Sequence, residues 1–194
     1  MSPLTHLFAS WLIATKTTNN PRDCRLVTLA GIVPDLDGFG LIVDLVTQFT
    51  QARPTTFYSQ YHHVLCHGLF AAIVSAVLFG IFARQRWRVA LLVFAIFHLH
   101  LLCDLIGSRG PELDDLWPIF YLGPFRKDPM WIWHGQWPLD GWMNRMVFGV
   151  LFAAVIWQAL YHGRSVVGVF NQRADLAVVR ILRGWREKVF GRTP

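Results

Sequence analysis

The segment VALLVFAIFHLHLLCDLI, which runs from Val89 to Ile106, decides how the rest of the chain is interpreted. His98, His100 and Asp104 are the polar residues in an otherwise apolar run. Its length approaches the roughly 20 apolar residues that a helix needs to cross a bilayer. The segment therefore predicts a membrane-embedded helix that carries ionisable side chains in its second half.

Further apolar segments predict a bundle of such helices. Two clear runs cover residues 64–83 and 146–161, and two weaker ones cover residues 4–15 and 26–46. Charged residues make up 15% of the chain, against about 25% in an ordinary soluble domain. We therefore predict an all-α fold, a small membrane-embedded helical bundle with about four to five apolar helices.

The remaining segments divide the chain into two predicted parts. Residues 107–145 form a wide loop rich in Trp and Pro, which belongs to a membrane-embedded domain over residues 1–163. Residues 164–194 have helical periodicity with a basic face. This pattern is typical of a helix that lies on a membrane surface. We therefore predict a basic amphipathic C-terminal helix as the tail.

The distribution of basic residues predicts the sidedness of the bundle. The chain has a formal net charge of +6. If its connections alternate between two sides, most Lys and Arg residues fall on one side, which the positive-inside rule assigns to the cytoplasm. The two long loops then face outward. Attraction to anionic membrane lipid accounts for the basic excess, so we expect lipid as a partner and no nucleic acid.

Most of the histidines collect toward the predicted outer side, together with three aspartates. These residues are His6, His62, His63, His67, His98, His100, His134, Asp35, Asp37 and Asp104. His100 and Asp104 are four residues apart and so share a helix face, and the same spacing relates His63 to His67. His98 lies about 200° around the helix from His100. We therefore predict that His100, rather than His98, faces Asp104.

Such a set of side chains suits a divalent metal ion. Neutral imidazole and carboxylate groups both bind zinc-like ions. An ionised aspartate such as Asp104 is costly within an apolar span unless it is paired or bound to metal. Taken singly, each residue has a simpler interpretation: a hydrogen-bonded His–Asp pair, or a turn at Pro34–Gly38. Their joint occurrence on one side favours a metal site.

The same residues resemble the bacterial membrane-bound, metal-dependent hydrolase family, also described as YdjM-like inner-membrane proteins. The resemblance covers roughly residues 1–145. It rests on Thr5-His6, Val33-Pro34-Asp35-Leu36-Asp37, His62-His63-Val64-Leu65-Cys66-His67, His100-Leu101-Leu102-Cys103-Asp104, Leu116-Trp117-Pro118 and the stretch from Gln136 to Trp142. The order of motifs is also loosely similar to zinc-dependent phospholipase C, although a later His-x3-Glu motif has no match here.

The chain departs from the family pattern in one motif. His63 stands where the family has Arg, Cys66 replaces Thr, and Gly68 replaces Ser. The change to His63 can add a metal ligand or remove a contact to a phosphate-type anion. The roles of His62 and His63 therefore stay open.

The resemblance implies a membrane-bound, metal-dependent hydrolase that uses metal-activated water on an ester or phosphoester, with a lipid or envelope molecule as the expected kind of substrate. The implied cofactor is one or two divalent ions, with Zn²⁺ as the first choice. The candidate ligands are His6, Asp35, Asp37, His62, His63, His67, His100 and Asp104, of which His67, His100 and Asp104 come first. Asp35 or Asp37 bridges a second ion or acts as the general base.

The implied location is the bacterial inner (cytoplasmic) membrane, crossed several times, with the site facing the periplasm. Arg109, Arg126 and Lys127 lie in the loop that can hold an anionic headgroup, although solvated loop charges are the simpler and favoured interpretation.

Three other interpretations compete with the hydrolase. The residues can bind metal for transport or sensing without catalysis, or they can simply satisfy buried polarity in a structural membrane protein. The chain can also be a soluble helical enzyme with unusually apolar helices.

Overall fold

A computed structural model describes residues 1–191 except residues 51, 52, 54 and 63.

The N-terminal helices begin at well-formed caps. Helix α1 (Pro3–Thr17) and helix α2 (Pro21–Ala30) both start with proline, and the side chains of Ser2 and Asn20 accept hydrogen bonds from the first free backbone N–H groups. Proline at the first position has no N–H to leave unpaired, so both starts are dictated locally by sequence.

The second apolar stretch is broken rather than continuous. After α2, a 3₁₀ helix (Pro34–Phe39) leads directly into helix α3 (Gly40–Phe49). The two arms are bent by 57° at the break. Proline cannot continue the hydrogen bonding of a preceding helix, and Pro34 stands at the bend. The aspartates of the Pro34–Gly38 segment therefore lie at the break between two apolar arms.

The central hairpin is formed by helix α5 (Leu69–Phe82) and helix α6 (Arg86–Gly107), which follow the short helix α4 (Phe57–Tyr61). The buried carboxylate of Asp23 in α2 accepts hydrogen bonds from the backbone N–H groups of Arg84 (2.8 Å) and Gln85 (3.0 Å). An acidic side chain thus fixes the tight turn between the two helices against α2.

Two expectations about the segment before α5 are wrong. The apolar run over residues 64–83 is helical only from Leu69, because residues 64–68 form turns and bends. At 1.5 Å per residue its 14 helical residues reach only about 21 Å, short of a full span. The helix-face argument that paired His63 with His67 therefore fails, and His63 itself lies outside the described residues.

The wide loop is ordered by polar anchors. It carries the short antiparallel strands β1 (Ile119–Phe120) and β2 (Met130–Trp131). The buried side chain of Gln136 bonds both backbone groups of Trp117, at 2.9 and 2.8 Å. These two hydrogen bonds hold the backbone of Trp117 in place beside the helical bundle.

The C-terminal part consists of helix α7 (Trp142–His162), a 3₁₀ helix (Val166–Val169) and helix α8 (Gln172–Phe190). The side chain of Asn171 caps the first turn of α8. The carboxylate of Asp175 accepts hydrogen bonds from the hydroxyl and the backbone N–H of Ser165. Helix α7 ends at Gly163, whose φ of 67° is a left-handed conformation that glycine adopts at low cost.

Three apolar clusters hold the bundle together. One joins α1, α2, α5 and α6 around Val27, Val89 and Val93; the second joins α1 to α7 around Trp11; the third packs β1 against α5 and α6 around Phe97. Helices α6 and α7 are long and apolar enough to cross a membrane, and the bent pair from Pro21 to Phe49 is a third candidate span. The fold is thus a small helical bundle with two or three candidate membrane spans.

Candidate metal centre

Three parts of the chain meet where the broken stretch faces the C-terminal half of α6. They bring together His6 from α1, Asp35 from the break, and His100 and Asp104 from α6. One ligand atom from each of these residues lies within 4.8 Å of all the others. The bend after α2 places Asp35, in the Pro34–Phe39 3₁₀ helix, beside His100 of α6. A group of this composition and size can enclose one divalent ion.

The carboxylate of Asp104 is the centre of this group. Its Oδ1 lies 3.2 Å from Nε2 of His6, and its Oδ2 lies 3.0 Å from Nε2 of His100 and 3.5 Å from Nε2 of His67. Ser108 and the amino group of Met1 also contact it. Three imidazoles therefore converge on one buried carboxylate, and together these side chains offer the ligand types that bind divalent metal ions.

His100 presents one ring nitrogen to the centre and uses the other for orientation. Its Nδ1 donates a hydrogen bond to the carbonyl oxygen of Gly31, at 2.7 Å. In the neutral ring, Nε2 therefore carries the lone pair. Within the described part of the chain this buried Nε2 has no partner with hydrogen-bond geometry. An imidazole held by a backbone carbonyl with its other nitrogen available is the usual arrangement of a metal ligand.

Gly31 makes the approach to His100 possible. A Cβ atom at Gly31 would lie 1.7 Å from Oγ and 2.6 Å from Cβ of Ser10 in α1. Glycine is therefore required because α1 and the end of α2 approach each other closely at this point. The same approach brings His6 of α1 next to His100, and their rings stack with centroids 3.6 Å apart.

A second group of possible ligands adjoins the first. Nδ1 of His62 lies 2.7 Å from Oδ1 of Asp37, and Nδ1 of His67 lies 3.0 Å from Oδ2 of the same carboxylate. The backbone N–H of Cys66 also donates to Asp37. Because Nε2 of His67 faces Asp104, this imidazole connects the two groups. Asp37, His62 and His67 meet the same 4.8 Å criterion as the first group.

The charges of two histidines follow from these contacts. Burial lowers the pKa of His6, and the neighbouring His100 lowers it further, so His6 is neutral and able to bind metal at pH 7. Burial also lowers the pKa of His67, but hydrogen bonds to Asp104 and Asp37 outweigh it and raise the pKa to about 9. In the metal-free protein His67 is thus a cation that balances the two carboxylates.

Other candidate residues lie elsewhere. His98 bonds the backbone oxygen of Phe94 and the hydroxyl of Tyr121, which confirms that His100 is the residue that faces Asp104. His134 is exposed in the wide loop. Arg109 bonds the backbone oxygen of Glu112 rather than a group at the centre.

Sequence reasoning missed the aromatic residues beside the centre. The ring of Tyr58 stacks on His62 with centroids 4.5 Å apart, and Trp117 packs edge-on against His62 at 5.4 Å. The Leu116-Trp117-Pro118 motif was noted in the sequence, but no local pattern indicated that it would lie against a histidine more than fifty positions earlier.

The fold and this centre define a class: a small helical membrane protein in which His and Asp side chains from separate segments form a possible metal site. A comparison with protein-family models then identifies the family within this class. The model of the YdjM inner membrane protein family matches residues 1–171. The chain therefore belongs to this family, as its motifs predicted.

The other comparisons add no closer relative. The chain matched none of the curated proteins and none of the solved structures. The looser similarity to zinc-dependent phospholipase C thus gains no support. Family membership and the apolar helices agree on a membrane location.

Proposed function

We propose that this protein is a membrane-bound hydrolase that uses one or two divalent metal ions, with Zn²⁺ as the first choice, to cleave an ester or phosphoester. One observation carries the proposal: the buried Nε2 of His100 has no partner with hydrogen-bond geometry among the described residues, yet His100 belongs to a four-residue group of metal-ligand composition. Buried polar atoms are costly without a partner. An ion bound to this group would supply that partner.

The ligand set fits a divalent ion chemically. His6, His100 and Asp104 offer two imidazole nitrogens and a carboxylate within 4.8 Å, and His100 is oriented by the carbonyl of Gly31. Three protein ligands with a further position open to solvent or substrate are typical of catalytic zinc. When bound, such an ion lowers the pKa of water and polarises a carbonyl or phosphoryl oxygen.

Asp35 and Asp37 have different surroundings, which suggests different roles. Asp37 accepts hydrogen bonds from His62, His67 and the backbone of Cys66, so we assign it to positioning these imidazoles or to a second ion. Asp35 lines an open cavity, and its Oδ2 has no partner within the described structure. It is therefore the better placed of the two to accept a proton from attacking water.

The helix geometry also supports an outward-facing centre. Arg84, Arg86 and Arg88 surround the start of α6, whereas Asp104 lies near its end. The 18 positions from Arg86 to Asp104 correspond to about 27 Å of helix, close to the thickness of the hydrocarbon core. If the positive-inside rule places the basic turn in the cytoplasm, the centre would lie at the periplasmic side.

The proposal is tested by metal removal and restoration. Protein purified in detergent is stripped with a chelator, reloaded with Zn²⁺, Mn²⁺ or Mg²⁺, and assayed on phosphomonoester, phosphodiester and carboxylic ester substrates. We expect turnover on at least one class after reloading and none in the stripped protein. Asp35→Asn should lower the rate by about 10²–10⁴-fold, the usual contribution of a general base. Bound metal without turnover on any substrate would instead support transport or sensing.

Metal affinity should increase with pH because the ion competes with a proton on His67. Its pKa of about 9 means that the ring is protonated at neutral pH in the metal-free protein. An ion that uses Nε2 of His67 must displace this proton, so affinity increases as pH rises toward 9. We expect about a tenfold gain per pH unit between pH 6 and 8 for one displaced proton, measured by competition with a chelator of known affinity. Affinity independent of pH would exclude His67 as a ligand.

A further inference from the structure

A large cavity opens directly onto the candidate metal centre. Its volume is about 730 Å³, and Asp35, Asp104 and His62 lie in its wall. The rest of the lining is mainly apolar and comes from α1 and from the broken stretch, including Leu4, Leu7, Leu36, Phe39, Leu41 and Ile42. A cavity of this size holds a molecule much larger than water or a small anion. Its apolar wall suits a ligand with an apolar part.

A second cavity continues beyond the centre and is more polar. Its volume is about 780 Å³, and its lining includes Gln60, Asp115 and Lys127. The two cavities share Tyr58, His62 and Trp117. These three aromatic rings contact one another, so they form a wall between an apolar compartment and a polar one, next to the candidate ligands.

The apolar compartment is bordered by helix α3, whose outer side is exposed in the part of the chain that the structure describes. Within the part of the chain that the structure describes, no residue of α3 is buried. Its exposed side chains include Ile42, Val43, Val46 and Phe49. A broken apolar helix that borders a cavity is a known way to place polar backbone and ligands inside a membrane protein. An exposed apolar surface of this extent is stable in contact with lipid chains rather than water.

The wall formed by α3 is held in place by a polar anchor. The carboxylate of Asp44 accepts hydrogen bonds from the backbone N–H groups of Phe57 and Tyr58, both at 2.8 Å, and from the hydroxyl of Thr55 at 2.6 Å. Asp44 thereby ties α3 to the start of α4, which carries Tyr58. The apolar compartment and the aromatic wall are therefore parts of one connected structure.

We propose that the substrate is a membrane amphiphile: a long apolar chain occupies the compartment between α1 and α3, and a phosphate-bearing head lies at the metal centre and extends toward Lys127. This inference rests on the proposed hydrolase function and names its substrate class. The chain enters from the lipid that surrounds α3, and the aromatic wall separates it from the head. Lys127 supplies the positive charge in the polar compartment.

The test follows occupancy of the apolar compartment rather than turnover. Zinc-loaded protein in nanodiscs of phosphatidylethanolamine and phosphatidylglycerol is exposed to hexadecyl phosphate that carries a diazirine near the chain end. Leu7 lines the cavity but is only 6% exposed, so bulk lipid labels it poorly. After irradiation, mass spectrometry should find adducts on Leu7 that excess unlabelled hexadecyl phosphate suppresses at least fivefold. Ethyl phosphate, which lacks the chain, should not suppress them.

Two matched variants of α3 make the result specific. Ile42→Trp fills the compartment and should reduce labelling of Leu7 at least fivefold. Val43→Trp changes the adjacent position, which is similarly exposed but does not line the cavity, and should leave labelling unchanged. Equal labelling in both variants, or labelling that does not saturate, would overturn the inference.

Metal content and short-substrate turnover are measured on the same samples. Turnover of a short phosphoester without specific labelling of Leu7 refutes the amphiphile and leaves the hydrolase intact. Specific labelling without metal or turnover refutes the hydrolase and shows that the compartment binds an apolar chain.

Discussion

Asp104→Asn should bind the divalent ion at least about 100-fold more weakly than the unaltered protein. Loss of groups that only support the ligands commonly costs 10–100-fold in metal affinity, and Asp104 lies at the middle of the ligand set itself. Nε2 atoms of His6, His67 and His100 lie within 3.5 Å of its two oxygens. Asparagine keeps the shape of the side chain but removes its charge. Elemental analysis of the purified protein and chelator competition measure the loss.

The control for this prediction lies on the same helix. His98 lies six residues before Asp104, and its imidazole bonds Phe94 and Tyr121 rather than the centre. His98→Gln should therefore leave the metal content unchanged. Bound metal at equal content in the unaltered protein and in Asp104→Asn would disprove the centre. Absence of metal from both, with a loss of stability in His100→Ala, would support a structural role for the His–Asp pairs.

Gly31→Ala should destabilise the protein by roughly 1–3 kcal/mol, the usual cost of adding a methyl group to a closely packed site. The added Cβ would overlap Oγ and Cβ of Ser10, so α1 and α2 must separate. Because the carbonyl of Gly31 orients His100 and α1 carries His6, metal content should also fall. Thermal unfolding in detergent, with and without added Zn²⁺, measures both effects.

Two further variants separate steric overlap from other effects of the substitution. Gly149→Ala adds a methyl group in α7, where a Cβ meets nothing within 4 Å, and should be neutral or slightly stabilising because alanine favours helix. Adding Ser10→Gly to Gly31→Ala removes both overlapping atoms. The double variant should lose less unfolding free energy than the sum of the losses in the two single variants. Simple additivity would show that the overlap is not the cause.

The sequence predicted the helical membrane fold and most of the site because both depend on local patterns. Apolar runs of spanning length are sufficient to identify α6 and α7, and the i,i+4 spacing of His100 and Asp104 determines a shared face once the helix is accepted. The prediction failed at residues 64–68, where the chain is apolar but irregular. Apolar composition alone does not distinguish a buried turn from the first turn of a helix.

The segment from Val89 to Ile106 therefore determined, by itself, an apolar helix of nearly spanning length with His100 and Asp104 on one side, since composition and helical periodicity are properties of neighbouring residues. Only the tertiary structure decided which atoms meet there. The bend at Pro34 directs Asp35 to the centre, the close approach at Gly31 orients His100, and the loop brings Trp117 against His62. These contacts join residues far apart in the chain, and such contacts depend on how helices pack, which no local pattern records.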